Sequence, residues 1–277
     1  STTWDSVDDR TDQVRGRLDA VLIASLLGPV TSHIGLLPTH NVTLTEPFHI
    51  ASATSTLDYA STGRGGWRPQ ISARGHEAAH VGRRTFPQID LRAADDPQAA
   101  AFVADLFAEA ADVVDVVRRL WDSWEDDAVI KDVATGRYID RDKLHYVDFE
   151  GTYFSVKGPS IVPRPPQGQP VVASLAHSRV PIEFAARAAD VVFVTPPDTA
   201  SVADWVGQVR AAEVVVERRG EPLLIFADLV VFVDEARGAA GHRLSQLDCW
   251  NGTPFVSDAA VFTGTSAALA TQLEQWH

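Results

Sequence analysis

His76 and His80 stand four residues apart, a spacing that puts two imidazoles on one helix face, as metal sites often do. The residues between them, Glu77-Ala78-Ala79, do not form the zinc-protease pattern, and no third ligand stands nearby, so no metal is expected. Asp228 lies inside the apolar run Leu223–Val233. A carboxylate there must point into a site, pair, or sit at an edge, which makes Asp228 a candidate catalytic group. Triad chemistry is not supported, because the chain has no Gly-x-Ser-x-Gly elbow. The single cysteine, Cys249, has no motif around it and allows no internal disulfide; it suits a reducing, cytoplasmic compartment. Trp121, Trp124 and Phe107 invite an aromatic-box reading, but their helical spacing favours core packing. Glu125-Asp126-Asp127 lacks calcium-loop spacing and reads as a solvated helix end.

The chain has 277 residues, with 24 Lys+Arg against 37 Asp+Glu and a formal charge of −13. Such acidity argues against a nucleic-acid partner and against a polybasic membrane anchor. The longest apolar runs, Val21–Leu27 and Leu223–Val233, fall far short of the roughly 18 residues of a membrane span. Ser1–Arg10 is polar and acidic and does not read as a secretory leader. The start at Ser1 and the absence of Met point to a piece of a longer polypeptide.

These candidates need elements to hold them. After the polar lead-in Ser1–Asp12, Leu18–Leu27 is apolar on most faces and reads as a buried helix closed by Gly28-Pro29. Ile34–Leu37 reads as a strand entering a loop at Pro38–Asn41. Glu46–Tyr59 has helical spacing, Gly63–Gly66 is a turn, and Trp67–Ile71 is a second strand. Ser72–Asp96 reads as loop. Gln98–Trp124 is the clearest helix, with Phe102, Leu106, Ala110, Val113, Val117 and Leu120 at spacings of three and four. Tyr146–Val156 looks like a β-hairpin, and Pro159–Pro170 like a surface connector. Strands at Val171–Leu175, Val191–Thr195 and Leu223–Val233 then alternate with helices at Pro181–Ala189, Ala203–Arg218 and Glu235–Leu247. Ser266–Trp276 closes the chain as a helix. This alternation indicates parallel βαβ units, in an open sheet or a barrel. No Gly-x-Gly-x-x-Gly follows the first strand, which disfavours a dinucleotide-binding sheet.

Several blocks, in order, carry a resemblance. Ile34-Gly35-Leu36, Thr39 and Glu46–Ala51 resemble the third strand and following helix of bacterial luciferase-like flavin-dependent monooxygenases. Leu57-Asp58, Ser61 and Gly63–Trp67 resemble the same family's entry to its fourth strand. Leu120–Ala128 (LWDSWEDDA), His145–Gly151 and Pro163–Val171 are similar to the subgroup of nitrilotriacetate, EDTA and dibenzothiophene-sulfone monooxygenases. Thr263-Gly264-Thr265 resembles the segment before the family's last strand. The resemblance implies a TIM (β/α)8 barrel, here one domain over 1–277 with a β-hairpin insertion at about 126–170. Terminal βα units of that barrel are not visible in this chain.

The resemblance also implies reduced FMN, dioxygen, a small organic substrate and a separate NAD(P)H-flavin reductase, in a homodimer or homotetramer. F420 is the rival cofactor, because the wider family uses both. A degenerate, non-catalytic flavin- or ligand-binding relative is the other alternative. The site is expected at the C-terminal ends of the strands. By matched position, Thr39 and Ser72 would contact the flavin, and His80, standing for a family Asn, would contact flavin or substrate. His40 and Asn41 depart from the small or apolar residues usual there and are candidates to face substrate; His40 and His80, like Asp228, are candidate catalytic groups. Arg68 replaces an Asn that positions the flavin. In the phosphate loop Ala176–Pro181, Ser178 matches a family Ser, Arg179 is a candidate for a charge-assisted contact, and Pro181 replaces a Gly. Pro181 is also suited to be a first helical residue.

Overall fold

The computed structural model describes residues 17–82, 84–87, 89 and 96–276, so the lead-in at 1–12 and part of the expected loop at 72–96 lie outside the described residues. The chain divides into two compact units, between Ser174 and Leu175.

The first unit opens with α1 (Ala20–Leu27), capped by Asp19, whose Oδ1 accepts from the N–H of Val21 and Leu22 at 2.9 Å each. The expectation of a buried helix fails. Only Val21 and Ala24 are buried, while Leu22 and Leu26 are each 71% exposed. The helix packs through one face, where Ala24 meets Leu36 and Leu57.

The first strand also lies further along than expected. The parallel ladder begins as a single bridge from Leu36 to Gly65, and β1 proper is Thr39–Asn41. Pro38 has no N–H to give the ladder and interrupts it, though its carbonyl accepts from Arg68 N at 2.9 Å. Thr39, His40 and Asn41 are therefore strand residues rather than loop residues. Next, α2 (Pro47–Ser61) begins on a helix-compatible proline and ends where Thr62 takes a left-handed φ of 57°. Then β2 (Gly66–Gln70) pairs in parallel with β1, Thr39 opposite Arg68 and Asn41 opposite Gln70.

The segment expected as loop after Ser72 contains a helix, α3 (Gly75–Val81). Its seven residues carry too little apolar periodicity to announce themselves. The long helix is α4 (Pro97–Trp121), capped by Asp96 and burying the expected stripe from Leu106 to Leu120. Two antiparallel hairpins follow: β3 (Val129–Asp132) with β4 (Arg137–Ile139), not anticipated, and β5 (Phe149–Glu150) with β6 (Ser155–Val156), as anticipated. The proline-rich connector then delivers β7 (Val171–Ala176), which lies parallel to β2 with Gly66 opposite Val171. Gly66 is required at that contact, since a Cβ there would sit 2.6 Å from the Val171 carbonyl oxygen.

The second unit alternates α5 (Arg179–Ala188), β8 (Val191–Val194), α6 (Val202–Val215), β9 (Leu224–Ala227), β10 (Leu229–Val233), α7 (Ala239–Asn251), β11 (Ala260–Gly264) and α8 (Ser266–Trp276). The strand expected across Leu223–Val233 is broken at Asp228. β9 pairs with β8 and β10 with β11, both in parallel. Asp228 N–H closes the first ladder on Val194 O at 2.8 Å, and the chain then changes partner. The helix α7 starts four residues later than expected, after Gly238 at φ 85°. No helix among the described residues is long and apolar enough to cross a membrane.

Candidate active site

In the first unit the β1–β2 pair has two faces. His40 lies opposite Pro69, and Trp67 shares that face by alternation. The two rings meet edge to face at 6.0 Å. Leu36, on the same face by alternation, packs against Ala24 of α1 and Leu57 of α2, which makes this the helix-facing side. Burial pushes the His40 pKa down to about 4, against a smaller upward pull from Asp19. The imidazole is neutral at pH 7, and its Nε2 and the Trp67 Nε1 have no hydrogen-bond partner among the described residues.

The opposite face carries Thr39 and Arg68, whose side chains meet: Arg68 Nε donates to Thr39 Oγ1 at 3.2 Å. Because that oxygen accepts, the threonine's own proton is left to donate elsewhere. Asn41 is two residues along on the same face. Its Oδ1 accepts from the N–H of Thr43 and Leu44 at 3.1 and 3.2 Å, which fixes the amide and leaves Nδ2 buried without a partner among the described residues. Ser72 follows β2. Its N–H donates to Thr43 Oγ1 at 3.0 Å, and its hydroxyl donates to the buried Glu77 carboxylate on α3. His80 is exposed in the last turn of α3, its ring 6.3 Å edge-on from His76. No His/Cys/Asp/Glu cluster among the described residues could hold a metal ion.

In the second unit Ser178 is the N-cap of α5 and its hydroxyl makes no capping bond. Arg179, not Pro181, is the first helical residue; Pro181 is the third, which corrects the expectation for that proline. The first bond of the helix ladder is Ile182 N to Ser178 O, so the N–H groups of Arg179 and Val180 precede it, and Pro181 adds none. The Arg179 guanidinium, 86% exposed, is held by Glu183 at 2.7 Å. Sequence reading missed His177, whose Nδ1 lies 2.9 Å from Thr195 Oγ1 and 3.6 Å from Asp258 Oδ2. The available signal was position, since His177 and Thr195 each directly follow a strand. Asp228 is half-buried at the break between β9 and β10.

The luciferase-like monooxygenase model matches residues 6–277. The chain belongs to that family. It is 31% identical over 243 residues to N-acetyl-S-(2-succino)cysteine monooxygenase of Bacillus subtilis (strain 168), covering 87% of this chain and 52% of the relative. It is 34% identical over 223 residues to nitrilotriacetate monooxygenase component A of Aminobacter aminovorans, covering 80% and 46%. The chain spans about half the length of the curated relatives it matches. Among solved structures, long-chain alkane monooxygenase (LadA) superposes with a TM-score of 0.78 at 22% identity, over 94% of this chain and 65% of that one. The fold is thus the α/β barrel type of the luciferase-like family.

The blocks that mark the family are mostly scaffold. Asp58 is fully buried and accepts from Gly65 N at 3.1 Å, Gln167 N at 2.9 Å and Gln167 Nε2 at 2.5 Å, tying α2 to the turn before β2 and to the connector. Arg64 binds the carbonyls of Gly28, Thr31 and Ile34 beyond α1. Trp121 Nε1 donates to Ala51 O, and Trp124 Nε1 to Ser160 O at 2.7 Å. Both indoles are buried, so they are packing residues and not an aromatic box. The acidic run behind them is exposed, and its carboxylates pair with His145, Arg164 and Lys143.

Proposed function

We propose that this chain belongs to the oxygenase component of a two-component monooxygenase. It takes reduced FMN from a separate NAD(P)H-flavin reductase, uses dioxygen, and acts on a small organic substrate. The observation that carries the reading is the identity of 31% and 34%, over 80% or more of the chain, to two relatives that share the monooxygenase name and differ in the named substrate.

The donor chemistry fits a flavin. The Thr39 hydroxyl keeps a proton for a ring acceptor. Ser178 Oγ, free of capping duty, and the N–H groups of Arg179 and Val180 suit a phosphate at the start of a ten-residue helix. Arg179 contributes there through its backbone, its guanidinium being held by Glu183. Ser72 acts by fixing Glu77 and α3. When bound, reduced flavin supplies the electrons that activate dioxygen. In such chemistry a protein's residues would orient the ring, exclude water and hold protons. Asp228 and His80 are the titratable candidates for that last role. His40, on the helix-facing side and neutral, is not. The same reading makes 1–277 one domain with an insertion at about 126–170, in a cytoplasmic homo-oligomer.

An anaerobic titration with reduced FMN, followed by tryptophan fluorescence with F420 in parallel, tests this. Saturable binding of reduced FMN is expected. Binding of F420 alone would move the chemistry to hydride transfer, and a folded protein that binds neither would be a non-catalytic relative.

A further inference from the structure

We propose that Arg68 and Asn41 form a recognition site for an oxyanion, a carboxylate or sulfonate carried by the organic substrate. The word substrate rests on the monooxygenase reading; the oxyanion site itself rests on geometry. Strand alternation and the register of β1 with β2 put Thr39, Asn41, Arg68 and Gln70 on one face, opposite the side that packs on α1 and α2. That face offers donors in excess. The guanidinium has five N–H groups and, among the described residues, one side-chain partner, the neutral Thr39 oxygen; no carboxylate there lies within ion-pair distance. Asn41 is 6% exposed, and its amide is locked with the oxygen on two backbone N–H groups and the NH2 unpaired. Two acceptors on this face, Thr39 Oγ1 and Asn41 Oδ1, already accept hydrogen bonds, and Gln70 can present either end of its amide.

A half-buried cation and a buried donor without acceptors are costly unless something supplies the missing lone pairs. A planar or tetrahedral oxyanion does so, and bonds to a guanidinium fork in the geometry such groups favour. A neutral hydrocarbon or sulfide would leave both donors unsatisfied. The site therefore selects by charge.

Calorimetric titration with sodium sulfate, succinate and the neutral isostere succinamide tests the proposal, on protein with and without anaerobically bound reduced FMN. Saturable binding of sulfate and succinate is expected, with succinamide at least tenfold weaker. Arg68→Asn should weaken oxyanion binding tenfold or more, while Arg68→Lys keeps an intermediate affinity. Asn41→Asp keeps the acceptor that the turn needs and puts a negative charge where the donor was, so it should also abolish oxyanion binding. Circular dichroism of each variant confirms the fold. Absence of saturable binding of either oxyanion, equal binding of succinamide, or an Arg68→Asn variant that binds like wild type would each overturn the proposal. So would equal loss of reduced FMN and reduced riboflavin binding in Arg68→Asn, since the guanidinium would then serve the flavin ring. Arg68-dependent oxyanion binding by a protein that ignores reduced FMN would sink the monooxygenase reading and leave this site standing.

Discussion

His40 makes the stability of this protein depend on pH in a way that can be isolated. The ring is 7% exposed, and burial holds its pKa at about 4 instead of the ordinary 6.5. Above pH 6.5 neither the folded nor the unfolded chain carries a proton there. Between 6.5 and 4 the unfolded chain is protonated and the folded one is not, so stability falls as the pH drops, and below 4 the loss is complete. About 2.5 pH units at 1.36 kcal/mol each give about 3 kcal/mol in total, of which about 2.5 kcal/mol is lost by pH 4.5. Replacing His40 by Phe removes the titration, keeps an aromatic edge for Trp67 and deletes the unpartnered Nε2. Carboxylates add their own pH dependence to both proteins, so the useful quantity is the difference between them. In urea unfolding, the variant should gain about 2.5 kcal/mol on wild type between pH 7.5 and pH 4.5. With a slope of about 3 kcal/mol/M this is a relative midpoint shift near ~0.8 M. An equal gap at both pH values, or a His40 resonance titrating near 6.5, would refute the argument that this ring is held neutral on the helix-facing side.

Other outcomes follow from single contacts. Asp58→Ala removes a fully buried carboxylate, leaves the buried Gly65 N–H without its acceptor and frees the Gln167 donors toward solvent; it should cost about 2–3 kcal/mol in urea unfolding, with Asp58→Asn recovering part of it. Gly66→Ala should prevent folding or force β2 from β7, seen as loss of near-ultraviolet circular dichroism, because the new methyl would lie 2.6 Å from the Val171 carbonyl oxygen. Thr39→Val keeps shape and removes the hydroxyl; the proposed flavin contact predicts roughly tenfold weaker reduced-FMN binding, and loss of the acceptor for Arg68 Nε should cost about 1 kcal/mol of stability.

Helices with a strong one-sided stripe were legible from residue type alone. The buried α4 stripe from Leu106 to Leu120 follows from spacing, although the helix ends at Trp121, three residues before the expected Trp124, and Phe102 is only half-buried; α8 falls on the expected residues. Errors arose where local composition and tertiary pairing disagree. Leu18–Leu27 is apolar enough to imply burial, yet Leu22 and Leu26 are exposed. Ile34–Leu37 is the more strand-like run, but the extended ladder forms at Thr39–Asn41, past a proline that cannot donate. The apolar run to Val233 hides a change of pairing partner at Asp228 that no composition encodes.

The site is less legible than the scaffold for a related reason. The blocks that identify the family, around Asp58, Arg64, Trp121 and Trp124, form buried hydrogen bonds between elements distant in sequence, and substitution there carries a folding cost. Their types are diagnostic because the fold needs them, whatever the protein acts on. Residues on the opposite face of β1 and β2, Arg68 among them, carry no such duty toward α1 and α2. Alternation along two short strands decides which neighbours share a face: it sends His40 toward the helices and sets Asn41 beside Arg68. A histidine and an asparagine adjacent in sequence thus have opposite meanings, one a buried neutral ring in the packing layer and the other a buried spare donor on the opposite face.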